Sequence, residues 1–457
     1  MELRQNQIEP TKIGIEYFRE TKPVPSIIVA PTAFGKSILI AKIAESIKEN
    51  LLILQPSKEL LEQNLTKYIA LGGTASVYSA SLNSKKITQV TYATIGSIKN
   101  IGSRFKELGF TKMIIDECHF YPRNADSMIG KFLKESNITH CLGLTATPLK
   151  LQTNFDINGN AFSKLQMLTS HSKKGRFFRE IISISQISEM VELGFWTKLE
   201  YEQYDFDGSK LVYNSTKADF TEESLDLTYE SNSMDEKIIK KINELSDRKN
   251  IIVFVPSVAN AINLARNTPN SIAIYGDMNK KEREIAVKNF KLGIIKIIFN
   301  VNVLSIGFDH PEIDAIICAR PTASLAWFYQ ALGRGTRISP NKKDCLIVDF
   351  SGNVKKFGKI EKLYYKKENT WKLYGENNIL LSGIPLHEIG EHIYCHQNRI
   401  VHTQLDIKNF VMPFGKYKNE HISKVPTGYI QWMLKEFTWT KYNKNLKDVL
   451  EMKIKNV

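Results

Sequence analysis

No stretch of this chain approaches the ~18 consecutive apolar residues that a membrane-crossing helix needs, so no membrane span is expected. The opening segment, MELRQNQIEP, lacks the apolar core of a secretory leader, and a cytoplasmic protein is expected. Cysteine is scarce. The five residues Cys118, Cys141, Cys318, Cys345 and Cys395 form no CxxC spacing, which argues against a disulfide framework or a zinc ribbon and fits a reducing compartment. Acidic residues are also in short supply: 48 Asp+Glu against 62 Lys+Arg leave a net charge of +14. Such an excess suits a polyanionic partner, although a Lys-rich composition alone accounts for it equally well. From Asn353 to Val457 there are 18 basic against 10 acidic residues, so a surplus of 8 sits in the last quarter.

Apolar residues come instead in short runs. Ser26–Ala30 (SIIVA), Leu51–Leu54, Lys112–Ile115 and Cys141–Leu144 read as strands, and Ile38, Ile40, Ile43 and Ile47 fall on one helical face. Short apolar strands separated by helices predict a parallel sheet covered on both sides. The pattern restarts with Ile251–Val255, Ser271–Tyr275, Ile295–Phe299, Ile313–Cys318 and Cys345–Val348, with helical stretches such as Asn279–Lys291 between them. The expected fold class is α/β: two tandem parallel-sheet lobes over 1–150 and 199–352, joined by a segment over 151–198. A small C-terminal domain, α+β or mostly helical, follows over 353–457. The polar stretch Leu151–Arg176, with NGN at Asn158–Asn160, reads as a surface loop, an insertion that touches substrate being the alternative.

Two motifs carry chemistry. Ala30–Ser37 (APTAFGKS) follows a strand and opens a helix. In such a loop the backbone around Thr32, Ala33 and Gly35, together with the helix N-terminus, points N–H groups at a bound anion. Lys36 reaches the β- and γ-phosphates of ATP and the Ser37 hydroxyl ligates Mg2+. The second motif, IIDECH at Ile114–His119, puts Asp116 and Glu117 just past an apolar strand, 80 residues after Lys36. At the C-terminal edge of a parallel sheet, Asp116 can hold Mg2+ and Glu117 can polarise the attacking water.

These and further motifs, in order, make the chain resemble the superfamily 2 helicases of the DExH type over Glu2–Gly352, which implies two RecA-like lobes, ATP and Mg2+. Leu3–Gln7 (LRQNQ) resembles the adenine-recognition motif, with Arg4 and Gln7 in place. Leu144–Pro148 (LTATP) resembles the motif that couples hydrolysis to lobe movement, through Thr145 and Thr147. Asn302–Asp309 (NVLSIGFD) resembles the second-lobe motif, which implies Gly307 and Asp309 at the nucleotide and Asn302 at the nucleic acid. Tyr329–Arg337 (YQALGRGTR) resembles the arginine-finger motif: Arg334 and Arg337, three apart, are expected on one helix face, and Gln330 near the γ-phosphate. His119 is implied as a bridge between the lobes. Where such helicases carry Gly at the fourth position of the phosphate loop, this chain has Ala33, which is strained if that position needs positive φ. Contacts to nucleic acid are implied for Pro56, Ser57, Glu59, Thr94, Ser257 and Asn302, directed at the backbone rather than the bases. Ser57 also reads as a plain helix N-cap.

The longer segments IIDECH, LGLTATPLKL, FFREIISISQISEMVELGFWTKLEYEQYDF and the run from Asn300 to Arg337 are similar to the RadD/YejH-type branch and to phage branched-DNA helicases. That similarity implies forked, branched or single-stranded DNA as partner, with a single-stranded-DNA-binding protein as a further candidate. It ends at Gly352: the bacterial members carry cysteine-rich zinc modules, and here only Cys395 remains. His387, His392, His396 and His402 lie near it without HExxH or CxxC, and read as surface or partly buried histidines. Met412–Trp432 resembles a short module of unassigned function in phage and bacterial proteins. Its Phe414, Lys416, Tyr417 and Lys418 suit stacking on a strand and an aromatic minicore equally. An RNA helicase, a restriction motor and an ATP-gated remodelling protein that never unwinds are the competing readings.

Overall fold

The computed structural model describes residues 2–121, 127–155, 159, 161–169, 177–303, 310–389, 412, 417, 420–436, 450–451 and 453–454. Ten strands belong to the first part of the chain: β1 Ser26–Val29, β2 Leu51–Gln55, β3 Ser76–Ser79, β4 Ser84–Lys85, β5 Val90–Thr94, β6 Lys112–Ile115, β7 His140–Thr145, β8 Leu149–Phe155, β9 Ala161–Met167 and β10 Glu180–Ile184. Eight of them form one sheet in the order β10-β1-β7-β6-β2-β5-β3-β4, parallel throughout except for the β3–β4 pair. Every residue of β1, β2 and β6 is buried, which explains why these strands read as unbroken apolar runs rather than alternating ones.

Six more strands build a second, wholly parallel sheet: β11 Lys198–Gln203, β12 Ile251–Phe254, β13 Ser271–Ile274, β14 Ile297–Asn300, β15 Ala315–Cys318 and β16 Asp344–Asp349, in the order β11-β16-β15-β12-β14-β13. The two sheets repeat a local device. β2 runs through Pro56 into the helix Lys58–Ala70, capped by Ser57, whose Oγ accepts from Leu60 N at 3.3 Å. β12 runs through Pro256 into the helix Val258–Arg266, capped by Ser257, which accepts from Asn260 N at 3.4 Å.

Two expectations are corrected. The described residues from Leu149 to Met167 are not a loop: β8 and β9 pair antiparallel from Leu149↔Met167 to Phe155↔Ala161, while Asn158 and Asn160 lie outside the described residues. The buried Leu149, Leu165 and Met167 anchor the hairpin, an alternation that the polar composition hides. β10, further along the connecting segment, completes the first sheet beside β1.

The accessory region, moreover, does not begin at Asn353. Val354, Phe357, Ile360, Leu363, Tyr365, Leu373, Leu381, Leu386 and Ile389 all join the core that spans the two sheets. The hairpin of β17 Tyr364–Lys367 and β18 Trp371–Tyr374 is held by Gln186, whose amide donates to Tyr365 O at 2.7 Å and accepts from Tyr365 N at 2.9 Å. One compact unit therefore runs from Met1 to Ile389 and a second from Gly390 to Val457. In the second, Met412, Ile422, Val425, Ile430, Met433 and Leu450 form a core of their own around the helix Thr427–Glu436. Among the described residues no helix is long and apolar enough to cross a membrane.

Candidate active site

The phosphate loop leaves β1 and enters the helix Lys36–Glu45, whose Ile38, Leu39, Ile40, Ile43 and Ala44 are buried against the sheet. Ala33 has φ +60 and Gly35 φ +90. The strain expected of an alanine at the fourth position is therefore present. A side chain at Gly35 would be strained at that φ, and its Cβ, 2.6 Å from Gln7 Nε2, would displace the Gln7 amide. That amide donates to Phe34 O at 2.6 Å, and Arg4 donates to Ala33 O at 3.4 Å while its guanidinium lies 4.7 Å from the Phe195 ring centroid. Arg4 and Gln7 thus grip the loop's backbone from the helix Gln5–Tyr17 and its N-cap.

Strand order explains what meets at this loop. β7 lies beside β1 and β6 beside β7, so the ends of three strands bring Lys36, Thr145, Asp116 and Glu117 together. Lys36 Nζ lies 2.7 Å from Glu117 Oε1. Burial works against the Lys36 ammonium, but Glu117 and Asp116 outweigh it and hold the lysine above its ordinary pKa. Burial and then the charge of Glu117 push the Asp116 carboxyl up to about 6. For Glu117 itself, burial is outweighed by Lys36 and His119, and its pKa falls below the usual range.

Burial lowers the pKa of His119 despite the nearby Glu117. Its Nδ1 meets Thr145 Oγ1 at 2.8 Å, and its Nε2 lies 3.3 Å from Gln330 Nε2, a residue of the second lobe. Thr145 Oγ1 also accepts from Thr147 N at 3.0 Å, while Thr147 Oγ1 is buried without a hydrogen bond.

Arg334 and Arg337 do not share a helix face. The helix Leu325–Leu332 ends at Gly333, and both arginines lie in the turn that follows. The turn cannot continue as helix: Thr197 N donates to Thr336 O at 2.8 Å, Thr197 Oγ1 to Arg337 O at 2.7 Å, and Lys342 Nζ to Gly335 O and Arg337 O at 2.6 and 2.9 Å. Gly335 packs so closely that a Cβ would meet Cys345 Sγ at 2.4 Å. Both arginines nevertheless line the same cleft as Arg4, Lys36, Ser37, Asp116, Glu117 and Gln330, a space of about 320 Å³. Gly307 and Asp309 lie outside the described residues.

Sequence reasoning missed several groups here. Thr32 is a meeting point of the lobes: its N donates to Tyr329 Oη at 3.3 Å, and its carbonyl accepts from Trp196 Nε1 at 2.9 Å. Phe195 and Trp196 stand in the GFWTK segment, which the similarity to the RadD/YejH-type branch covers without giving either residue a role. Asn64 and Lys67 also line the cleft, and nothing in their spacing from the motifs announced it. The residues implied for nucleic acid are separate: Pro56 and Ser57 follow β2, Thr94 ends the adjacent β5, Ser257 follows β12, and Asn302 follows the adjacent β14. All stand at C-terminal strand edges. Of the histidine cluster, His387 packs on Tyr213 at 6.2 Å, and His392, Cys395, His396 and His402 lie outside the described residues.

Residues 1–150 match the family described as type III restriction enzyme, res subunit, and residues 234–339 match the helicase conserved C-terminal domain. The chain belongs to the superfamily 2 helicases. Residues 402–457 match a third family, described as "Putative quorum-sensing-regulated virulence factor". The helicase is 25% identical over 367 residues to a 51.5 kDa protein of Lactococcus phage (isolate 7-9), covering 78% of this chain and 72% of that one. It is 25% identical over 386 residues to the DNA 3'-5' translocase XPB2 of Sulfurisphaera tokodaii, covering 76% and 81%. The solved ATP-dependent Type ISP restriction-modification enzyme LlaBIII, bound to DNA, overlays with a TM-score of 0.55 at 19% identity, over 77% of this chain and 28% of that chain. At that identity the likeness is one of fold. The helicase is an ATP hydrolase, and the cleft lined by Lys36 and Arg334 lies between its two parallel-sheet lobes.

Proposed function

We propose that this helicase is an ATP- and Mg2+-dependent DNA motor that acts on forked or branched DNA. The observation that carries the motor reading is a single cleft lined by Lys36, Ser37, Asp116 and Glu117 from one lobe and Gln330, Arg334 and Arg337 from the other. The fit to the nucleotide is good: a loop of positive-φ residues, an oxygen donor in Ser37 and a carboxylate in Asp116 suit Mg2+, which takes few protein ligands. Bound there, the metal neutralises phosphate charge. Lys36 leaves Glu117 for the phosphates, which frees the carboxylate to orient water. Arg334 and Arg337 meet charge on the transferring group from across the cleft, so hydrolysis is tied to lobe closure. His119, between Thr145 and Gln330, carries that closure into the first lobe.

DNA as partner is supported by the basic excess of +14 and by the likeness to a protein named as a DNA translocase. Pro56, Ser57, Glu59, Thr94, Ser257 and Asn302 form the track, two adjacent strand edges per lobe, and touch phosphate and sugar. ATP hydrolysis is expected to rise with single-stranded and forked DNA, and strand displacement to be faster on forks than on blunt duplex. Stimulation by RNA but not DNA would replace this reading with an RNA helicase. Stimulation by DNA with no displacement on any fork would leave a remodelling protein.

A further inference from the structure

The helix Lys58–Ala70 begins in one site and ends in another. Its cap, Ser57, stands on the track given above to nucleic acid, whereas Asn64 and Lys67 line the nucleotide cleft. The two are three residues apart and so share a helix face. They can reach the cleft because β2, which feeds the helix, is the sheet neighbour of β6, which ends just before Asp116.

Asn64 is 1% exposed; its Nδ2 donates to Asp116 Oδ2 at 2.8 Å, and its Oδ1 is buried without a hydrogen-bond partner. The other Asp116 oxygen accepts from Glu117 N at 2.9 Å, so the carboxylate is held at both ends. A buried amide oxygen left unpaired is costly unless a further donor serves it. Lys67 Nζ lies 3.3 Å from Ser37 Oγ. Both groups assigned to the metal, a carboxylate and a hydroxyl, are therefore touched by side chains of one helix.

We infer that Asn64 and Lys67 are positioning residues for Mg2+·ATP and that they link the state of the metal site to the position of this helix. The inference rests on the reading of Ser37 and Asp116 as the metal's holders. Asn64 fixes the Asp116 carboxylate, and its Oδ1 accepts a hydrogen bond from hydration water, of which Mg2+ keeps several. Lys67 competes with the metal for the Ser37 hydroxyl, because an ammonium and a divalent cation repel strongly at contact distance. When Lys67 gives up Ser37, the helix that carries it transmits the change to Ser57 and Glu59. Linkage requires the converse, that nucleic acid at those residues alters metal affinity.

The test titrates Mg2+ against a fluorescent ATP analogue bound to the full chain, as wild type, Asn64→Ala, Lys67→Met and Asp116→Asn. Asn64→Ala is expected to raise the half-saturating Mg2+ concentration about tenfold. Lys67→Met is expected to lower it about fivefold, and a single-stranded oligonucleotide to shift it in wild type but not in Lys67→Met. Neither variant should change affinity for the analogue in EDTA. Lys67 is part-exposed, so its variant keeps the inference open to refutation even if Asn64→Ala, checked by circular dichroism, fails to fold. Loss of Mg2+ dependence in Asp116→Asn with a wild-type response in the two helix variants overturns the inference and leaves the metal assignment standing. A wild-type response in Asp116→Asn as well removes the metal assignment and the inference with it. Weaker binding of the analogue in EDTA by Lys67→Met makes that residue a phosphate ligand and refutes the competition.

Discussion

Glu117 sits in a left-handed backbone, φ +44, between β6 and a short 3-10 turn. Strain of that kind at a non-glycine residue persists where the surrounding structure enforces it, often at a functional site. In this fold it turns the carboxylate onto Lys36 while Asp116, one residue earlier, faces Asn64. Glu117→Gln should bind nucleotide with Mg2+ yet lose turnover, because an amide takes no proton from water; equilibrium binding beside a phosphate-release assay checks both halves. Lys356 is a second residue whose surroundings set its chemistry. It lies 5.6, 5.4 and 5.5 Å from the ring centroids of Tyr213, Phe220 and Phe357, and burial lowers its pKa to about 8. Between pH 8 and the ordinary lysine value of about 10.4 the unfolded chain binds the extra proton, so this residue's contribution to stability rises with pH through that window. Denaturant unfolding of wild type and Lys356→Met at pH 7 and pH 10 should show the balance moving toward wild type at the higher pH.

Among the elements, the turn after the helix Leu325–Leu332 shows how an arginine pair is aimed without helical geometry. Four backbone carbonyls between Gly333 and Arg337 are held by Thr197, Lys342 and the turn's own Thr336, whose hydroxyl donates to Gly333 O at 3.0 Å. Arg334 is nearly buried and its charge lowers the Glu117 pKa, whereas Arg337 is only half-buried. Replacing Arg334 with Ala is expected to cost about 10³-fold in turnover, as for a group that meets transition-state charge. Single-turnover hydrolysis of Arg334→Ala and Arg337→Ala ranks the two; normal DNA-stimulated rates in both would remove the cleft-crossing role. The β8–β9 hairpin makes a different point about elements: Phe155, near its tip, is 71% exposed while Leu165 at its root is 2% exposed.

At the scale of the whole molecule, the division after Ile389 changes how the C-terminal region is tested. The surplus of basic charge and the rings of the last quarter suggest a second DNA contact, since a fork is defined by two arms and a motor track follows one strand. Of those rings, Trp371 belongs to the motor unit, Trp432 is 54% exposed in the second unit, and Phe414 and Trp439 lie outside the described residues. Tyr417, Tyr429 and Trp432 form a file, with centroids 4.9 and 5.5 Å apart, that leads from the small core to its surface. A chain ending at Ile389 should keep single-strand-stimulated hydrolysis, lose its preference for forks, and bind with a shallower salt dependence. A chain ending at Gly352 should fail more broadly: it lacks Phe357, Ile360 and Leu373 from the core, and loss of one such large side chain alone costs about 3–5 kcal/mol. Fork and single-strand binding over a salt series, beside thermal melts of both chains, checks this. An unchanged fork preference in the longer one excludes a positioning role for the second unit.

The strands and the phosphate loop were legible in the sequence because their causes are local. An apolar run such as Ile114–Ile115 must be buried on both faces, and GKS after a strand can do little but begin a helix. The serine caps at Ser57 and Ser257, and the strain at Ala33, are likewise effects of neighbouring residues. Contacts made across the sheet order were not legible. That Asn64 and Lys67 reach Asp116 and Ser37 depends on β2 lying beside β6, and that Gln186 grips Tyr365 depends on a segment 179 residues away. Arg334 and Arg337 were readable as arginines bound for a cleft, but not as residues of a turn, because Thr197 and Lys342, which hold that turn, come from other elements. Periodicity records which side of an element is buried; only the packed fold decides what it is buried against.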